Sequence, residues 1–304
     1  MFEEVIKKIL ESVDGNFATA NYPKFSGEGY RAHKIDVKNF HEIRKSDDNK
    51  KIAFVDGGNA EIISAGNFSL SLLRAGFAVY QNNKKIHSKR YDNLVFVNSV
   101  SHDNEIYYKV SFFGANNSLN IDNLSFSSFD TTLMSGINRA EIGSVANAVR
   151  RFTELKLAKF ISDTKLADII VLDGNLQATM TNEGIYLNEL YESCSKNNII
   201  LTAVSKTTSL FADNGNLLSA VLNNIAKLQS WYYYPIVDIS SHNHKAEIFM
   251  AKFHNNSKHI FRLEIFNIQK ARAEEIISMV AGNCIDPIFI GYPYGLVEAD
   301  RIAG

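Results

Sequence analysis

Cysteine, proline and long apolar runs are all scarce in this sequence. The two cysteines, Cys194 and Cys284, lie far apart and show no metal-ligand spacing, which argues against a disulfide framework or a zinc site. That usage is typical of a reducing compartment, and we expect a cytoplasmic protein. Only four prolines occur, so long rigid linkers are not expected. No apolar stretch approaches the roughly 18 residues of a membrane span, so we expect no membrane contact.

Several sequence motifs are also missing. The chain has no Gly-x-x-x-x-Gly-Lys-Ser/Thr, no Gly-x-Ser-x-Gly and no strand followed by Gly-x-Gly-x-x-Gly. These absences argue against a P-loop ATPase, a hydrolase with a nucleophile elbow and a dinucleotide-binding fold. The charges nearly balance, with 32 Lys+Arg and 33 Asp+Glu. That balance argues against a basic protein that coats nucleic acid along its whole surface. It does not exclude a local basic groove that binds nucleic acid.

Hydrophobic periodicity predicts an α/β fold with a mixed sheet flanked by helices. Consecutive strands come first and favour antiparallel pairing; they are predicted at 52–56, 60–66, 68–80, 94–100 and 105–113. Helices and strands then alternate, which favours parallel pairing; the predicted helices are 141–162, 183–197, 215–228, 269–281 and 296–303, and the strands are 168–173, 199–204, 246–253 and 259–266. We expect residues 1–50 to form a helix, 2–13, with an irregular extension, and 51–304 to form the main domain.

Two apolar strands run directly into an aspartate followed by glycine. Ile52–Val55 leads to Asp56, and Ile169–Leu172 leads to Asp173. If the strands are neighbours, both carboxylates open into the crevice at the carboxyl ends of the strands. Oxygen ligands of this kind suit Mg²⁺ or Mn²⁺, which can activate water against a phosphodiester. The alternative is that each Asp-Gly pair is only a turn, so both interpretations stay open here.

A third carboxylate is expected from a helix. Glu154 lies on the predicted helix that leads into the Asp173 strand, close in sequence to Arg150 and Arg151. Its other interpretation is a solvated helix face with ordinary pairing between Arg150 and Glu154. Glu141 is the alternative candidate for the third carboxylate. It also suits the start of the helix, where an acidic side chain interacts favourably with the helix dipole.

With these residues in view, the sequence resembles the NurA nucleases. The resemblance rests on Phe-Val-Asp-Gly-Gly at 54–58, Arg-Arg-Phe-Thr-Glu at 150–154 and Val-Leu-Asp-Gly-Asn-Leu at 171–176. It continues in the same order through 203–208, 259–264 and 291–300, so it covers about residues 50–304. The resemblance implies an RNase H-like core and a Mn²⁺-dependent nuclease, with Mg²⁺ as the alternative ion. It further implies single-strand endonuclease and 5′–3′ exonuclease activity in DNA end processing for recombinational repair. The partners it implies are a second copy of the chain and a HerA-type hexameric translocase.

The resemblance also implies roles for particular residues. Asp56, Glu154 and Asp173 match the metal ligands, and Tyr292 matches a residue that lines the site. The family has a histidine eight residues after that tyrosine, where this chain has Asp300. An aspartate can serve as a further ligand for a hard cation, but it cannot act as a neutral imidazole. We therefore keep a second hypothesis, a catalytically degenerate module that binds DNA or a translocase.

Basic residues near these positions are candidate DNA contacts. Lys206 follows a predicted strand in the same crevice and is suited to neutralising a phosphate, although a plain surface lysine is the alternative. Arg150, Arg151 and Arg262 are candidates for the same track, or for structural ion pairs.

Three other features have a simpler interpretation. The aromatic run at 231–234 is suited to stacking on bases, but core packing is expected for aromatics beside a strand. His242 and His244 are expected at the surface rather than on a metal. The helix at 2–13 has an apolar stripe suited to packing on a second subunit or on the core.

A third hypothesis is a sugar or acetate kinase, because those enzymes share an RNase H-like core and a strand-end aspartate. Such a kinase needs glycine-rich phosphate loops, for which residues 56–59 offer only one thin candidate.

Overall fold

The structure is a computed structural model that describes residues 1–13, 20–44, 49–114, 119, 121 and 124–304. Parts of the expected N-terminal extension, residues 14–19 and 45–48, lie outside the described residues. The helices are α1 (Phe2–Val13), α2 (Ser144–Asp163), α3 (Glu183–Asn197), α4 (Leu218–Ile225), α5 (Ala273–Gly282) and α6 (Tyr294–Ala303). The strands are β1 (Pro23–Lys24), β2 (Tyr30–Ala32), β3 (Phe40–Glu42), β4 (Ile52–Ala65), β5 (Phe68–Gln81), β6 (Lys84–His102), β7 (Glu105–Gly114), β8 (Ser125–Ser127), β9 (Ile169–Asp173), β10 (Ile200–Ser205), β11 (Phe211–Ala212), β12 (Trp231–Tyr233), β13 (Val237–Ile239), β14 (Ala246–Lys252) and β15 (Phe261–Phe266).

A large mixed sheet forms the centre of the molecule. Within the described residues its order is β3-β12-β14-β15-β10-β9-β4-β5-β6-β7-β8. The β4-β5-β6-β7 meander is antiparallel, whereas β9 runs parallel to both β4 and β10. This arrangement confirms the predicted fold class, with antiparallel strands first and parallel pairing later.

The apolar run of β4 forms a strand because both of its faces are buried. Phe54 packs with residues of α5 and α6 on one face, whereas Val55 packs with residues of α2 and α3 on the other. Successive side chains of a strand point to opposite faces, so a continuous apolar run suits a strand covered by helices on both sides. Each buried side chain of this size contributes about 1.5–3 kcal/mol relative to exposure.

The predicted break between the strands 52–56 and 60–66 is wrong, and so is the alternative of a turn at Gly57 and Gly58. The segments 52–56 and 60–66 form one continuous strand, β4, which pairs with β5 along nearly its whole length. Gly57 and Gly58 therefore sit inside the strand, and neither has a positive φ. The two glycines serve close packing rather than a change of chain direction, as the site geometry shows.

The segment before β4 is less irregular than expected. β3 joins the edge of the large sheet through β12, and β1 and β2 pair with β11 and β13. Polar residues dominate this segment, so its strands depend on pairing with distant partners, which periodicity does not report. The apolar stripe of α1 is exposed, with Phe2 79% and Leu10 59% accessible. Whether residue 50 is a domain boundary stays a prediction.

None of the helices in the described ranges combines the length and apolarity needed to cross a membrane.

Candidate active site

Three carboxylates from separate elements line one pocket. Asp56 lies within β4, Asp173 ends β9, and Glu154 lies on α2. Together they line a cavity of about 290 Å³, which we call the acidic pocket. The two aspartates come together because β4 and β9 are adjacent and parallel, with Val55 opposite Leu172. The structure thus brings the predicted acidic residues together, although Asp56 lies within β4 and not at its carboxyl end as the sequence predicted.

Glu154 reaches the aspartates through the space left by Gly57. A Cβ added at Gly57 would lie 2.7 Å from Glu154 Oε1 and 2.9 Å from its Cγ. Gly58 is equally close to α6, since a Cβ there would lie 2.6 Å from the carbonyl oxygen of Ala303. The glycines thus let a helix from each face approach the strand beside Asp56.

The NurA resemblance implies nuclease activity at this pocket, so replacing Gly57 by alanine should displace Glu154 and reduce cleavage while keeping the fold. A displacement of about 1 Å in a catalytic group can cost roughly 100-fold, so we expect a fall of that order in kcat. The measurement is steady-state cleavage of single-stranded DNA together with thermal unfolding. Gly66→Ala is the matched control, because a Cβ at Gly66 meets nothing within 4 Å and should leave the rate unchanged.

The pocket concentrates negative charge away from water. Burial, followed by the charges of Glu154 and Asp173, raises the pKa of Asp56 to about 7. Burial also raises the pKa of Glu154, although the charges of Arg150 and Arg151 oppose that rise. Asp56 and Glu154 are only 6% and 4% exposed. A site of this kind favours a bound cation, which would stabilise the ionised carboxylates.

Two arginines on α2 hold Glu154. Arg150 forms an ion pair with Glu154 and donates a 3.0 Å hydrogen bond to the carbonyl of Gly57. Arg151 lies 3.5 Å from the other Glu154 oxygen and donates to Glu183 at 2.9 Å and to the carbonyl of Asn175 at 2.6 Å. Arg151 is buried and makes one of these contacts through each of its three nitrogens, whereas the side chain of Arg150 is 31% exposed.

Lys206 lies on the other side of the aspartates. Its Nζ is 2.8 Å from Asp173 and 3.8 Å from Asp300, and it sits 5.8 Å from the ring centre of Tyr292. Burial opposes the charge of Lys206, but the hydrogen bond and charge of Asp173 leave its pKa above the usual value. Asp300 is the most open of the predicted residues, with a side chain that is 62% exposed.

Tyr292 is buried beside these charges. Burial, followed by the charges of Asp173, Asp56 and Asp300, raises the pKa of Tyr292. Its hydroxyl has no hydrogen-bond partner among the described residues. Tyr292 therefore stays protonated near neutral pH and keeps a hydrogen-bonding group available beside the acidic pocket.

The oxygen ligands of the pocket suit a hard divalent cation, but the carboxylates are not arranged so as to enclose one. Carboxylate oxygens are the ligands that Mg²⁺ and Mn²⁺ prefer. Within the described residues, however, no group of three or more acidic, histidine or cysteine side chains is arranged to enclose an ion. Instead, Lys206 pairs with Asp173 and the two arginines pair with Glu154.

The rival and secondary candidates lie elsewhere. Glu141 is exposed before the start of α2 and does not line the acidic pocket. Trp231 and Tyr233 are buried in β12, so core packing, rather than base stacking, is confirmed for them. The kinase hypothesis needs a phosphate-binding loop at residues 56–59, but these residues lie inside β4 and form no loop.

The surface position expected for His244 is wrong. His244 is 2% exposed, and its Nε2 lies 2.9 Å from Glu264 while its Nδ1 lies 2.9 Å from the hydroxyl of Tyr30. Arg262, a predicted DNA contact, forms an ion pair with the same Glu264 and lines a different cavity from the acidic pocket. The polar surroundings of His244 in sequence gave no sign of these partners.

Sequence reasoning also missed Glu183. It is 1% exposed, binds Arg151, and accepts hydrogen bonds from the backbone of Thr179 and Met180. Glu183 thereby fixes both Arg151 and the loop after Asp173. The only sequence signal was an acidic residue at a helix start, which local rules explain without any long-range partner.

Known proteins resemble this chain in sequence and in fold. The sequence model of the NurA domain matches residues 50–303. The fold is similar to that of the NurA nuclease from Sulfolobus solfataricus, with a TM-score of 0.51 and 13% identity over 88% of this chain and 82% of that one.

Two endonuclease V structures are similar at a lower level. The catalytic domain of the human enzyme has a TM-score of 0.43 and 11% identity over 99% of this chain and 95% of that one. The Ciona intestinalis enzyme, in complex with DNA, has a TM-score of 0.39 and 13% identity over 86% and 90%. A comparison with curated protein sequences gives no significant match. Because the domain model spans most of the sequence, the chain belongs to the NurA family of nucleases.

Proposed function

We propose that this chain is a Mn²⁺-dependent deoxyribonuclease that cleaves single-stranded DNA and processes DNA ends. The observation that supports the proposal best is the convergence of Asp56, Glu154 and Asp173 on one pocket. These are acidic side chains from two parallel strands and a helix. Carboxylates gathered in this way are suited to phosphodiester hydrolysis assisted by a divalent cation.

Asp56, Glu154 and Asp173 would hold the ion, with Asp300 as a further acidic residue at the open side. A bound divalent cation would supply Lewis-acid activation and charge neutralisation at the scissile phosphate. Since Lys206 and Arg150 now pair with two of these carboxylates, binding requires those pairs to loosen. The released ammonium and guanidinium groups are then suited to contact phosphate oxygens.

The four basic residues predicted to contact DNA divide by exposure. Lys206 and Arg150 are 45% and 31% exposed and remain candidates for phosphate contact. Arg151 is more suited to positioning Glu154, because Glu183 and Asn175 already use its donors. Arg262 lines a different cavity from the acidic pocket, so it is not placed to contact the scissile phosphate directly.

We further propose single-strand endonuclease and 5′–3′ exonuclease activity in the end processing of recombinational repair. The proposed partners are a HerA-type hexameric ATPase and a second copy of the chain, and the proposed location is the cytoplasm. The exposed apolar stripe of α1 supports a protein partner, because a helix with one apolar face gains stability by burying it.

Purified protein tests the proposed activity directly. Single-stranded oligonucleotides labelled at either end should be cut when Mn²⁺ is added, with less cutting in Mg²⁺ and none in EDTA. The product ladders from the two labels distinguish internal cutting from digestion at an end. Absence of cleavage at every Mn²⁺ and Mg²⁺ concentration would contradict the proposal.

The alternative is a degenerate module that binds DNA or a translocase without turnover. The observation that favours it is Asp300 at the position of the family histidine, held near Lys206 rather than enclosed in the pocket. Asp300→His should then restore cleavage that the wild-type chain lacks. Robust wild-type turnover would remove this alternative.

A further inference from the structure

A second cavity lies on the other side of the loop that follows Asp173. Its volume is about 440 Å³, and we call it the Arg262 pocket. Its lining combines the aromatic side chains of Phe25, Tyr30 and Phe211 with the cationic side chains of Lys24 and Arg262. The rings of Phe25 and Tyr30 stack on each other, with centroids 5.5 Å apart and planes 4° from parallel.

A buried polar network holds this lining in place. The hydroxyl of Tyr30 contacts His244 Nδ1, His244 Nε2 contacts Glu264, and Glu264 pairs with Arg262. Glu264 also accepts a 2.8 Å hydrogen bond from the backbone of Leu176. Burial of charged groups is costly where they lack partners, and two atoms of this network, Arg262 Nε and Glu264 Oε1, have no hydrogen-bond partner among the described residues.

Arg262 retains unused hydrogen-bonding capacity. One of its terminal nitrogens pairs with Glu264, while its Nε has no hydrogen-bond partner among the described residues. The side chain is 15% exposed and contributes to the pocket wall. Together with the exposed Lys24, it makes the pocket cationic, which disfavours a metal ion and favours a phosphate.

The two cavities are separated by a very short segment of chain. Asn175 lines the acidic pocket, whereas Gln177 lines the Arg262 pocket. Two residues of extended chain span at most about 7 Å. In addition, Arg262 pairs in register with Ser205, the residue before Lys206, which contacts Asp173. The Arg262 pocket therefore lies close enough to the acidic pocket for one DNA strand to contact both.

We propose that the Arg262 pocket binds an unpaired nucleotide of the DNA strand next to the scissile phosphate. This inference rests on the proposed nuclease function and adds a specific substrate contact to it. The base stacks on the Phe25–Tyr30 pair, and the phosphate lies against Lys24 and Arg262. Gln177, which carries both a donor and an acceptor, faces the edge of the base. A paired base cannot enter, so the pocket selects single-stranded substrate.

Substrates with a single abasic nucleotide test the base contact. The abasic nucleotide is moved one position at a time along a single strand, and cleavage of each bond is measured with Mn²⁺. We expect wild-type cleavage to fall about tenfold at one fixed distance from the abasic position, in keeping with the usual contribution of base stacking on aromatic rings. The variant Phe25→Leu should cut the intact strand about tenfold more slowly and lose the positional effect.

Binding without metal separates the pocket from catalysis. In EDTA, fluorescence anisotropy with a labelled oligothymidylate should show weaker binding for Lys24→Ala and Gln177→Ala than for wild type. Lys84→Ala is the control, because Lys84 lies far from the Arg262 pocket. Lys84 pairs with Gln81, next to the end of β4 that begins at Ile52, whereas the pocket lies near the other end of the strands. Thermal unfolding and circular dichroism confirm that each variant is folded.

The outcomes distinguish the two proposals. Cleavage that shows no positional effect of the abasic nucleotide would overturn the pocket assignment while leaving the nuclease intact. Unchanged EDTA binding by both Lys24→Ala and Gln177→Ala would overturn it as well. Suppose that the wild-type chain binds the oligothymidylate in EDTA, and that both variants bind it more weakly, but that the wild-type chain never cleaves DNA. This result would contradict the proposed nuclease function and would leave the assignment of the Arg262 pocket as a nucleotide-binding site standing.

Discussion

Asp56→Asn and Asp173→Asn should each abolish cleavage of single-stranded DNA while the protein remains folded. Both carboxylates line the acidic pocket, and each substitution removes a negative oxygen from the proposed cation ligands. Loss of transition-state stabilisation by several kcal/mol corresponds to a fall of about 1,000-fold or more in kcat/KM. The rates are measured with Mn²⁺ on a labelled oligonucleotide, with thermal unfolding recorded for every variant.

Asp103→Asn is the matched control for these variants. Asp103 lies at an exposed hairpin tip with φ of 48°, a conformation that asparagine also tolerates, so both stability and rate should be unchanged. Asp56→Asn should not lose stability in the absence of metal, because the buried carboxylate has unfavourable surroundings in the folded state. A folded Asp56→Asn or Asp173→Asn protein with wild-type cleavage would contradict the assignment of the site.

Gly295→Ala should destabilise the fold strongly. Gly295 lies on α6 against β4, and a Cβ there would fall 2.0 Å from Phe54 Cδ2 and 2.3 Å from Cε2. Phe54 is fully buried, so its ring cannot move without disturbing the core. Overpacking of a core costs typically about 1–3 kcal/mol, and this overlap with a rigid ring places the expected loss near the upper end, about 3 kcal/mol.

The change is measured as the free energy of unfolding in urea. Gly282→Ala, at the end of α5, is the control because a Cβ there meets nothing within 4 Å. Alanine is preferred over glycine within a helix, so this control should be neutral or slightly stabilising. Equal stability of Gly295→Ala and Gly282→Ala would show that α6 does not pack on Phe54 as described.

The strands and the aspartates were predictable because they depend on local patterns. A fully apolar run buried on both faces predicts a central strand, and the polar residue that follows the run predicts a position beside the crevice, although only Asp173 also ends its strand. Glu154 was predictable as a helical residue, and the family resemblance singled it out from Glu141. Local spacing alone left that choice open.

Other features depend on contacts between distant residues and gave no local signal. Gly57 and Gly58 have the sequence of a turn, yet they are glycines because Glu154 and Ala303 occupy the space beside β4. Glu183 matters through Arg151, 32 residues away in sequence. His244 is buried because Glu264 and Tyr30 provide partners that its polar neighbours in sequence do not suggest.

Cationic side chains offset part of the repulsion among the acidic residues of the pocket. Lys206 pairs with Asp173, and Arg150 and Arg151 pair with Glu154. A divalent ion would compete with these side chains for the carboxylates. Under the proposed function, binding of metal and of DNA would be coupled, because the side chains freed from the carboxylates would become available to phosphate.

Anomalous scattering from a crystal soaked in MnCl₂ would locate the proposed cation. We expect an anomalous peak in the acidic pocket, within coordination distance of Asp56, Glu154 and Asp173, and no such peak in Asp173→Asn crystals. A structure in which Mn²⁺ binds elsewhere, or in which Lys206 remains paired with Asp173 and the pocket binds no Mn²⁺, would contradict the proposed metal site.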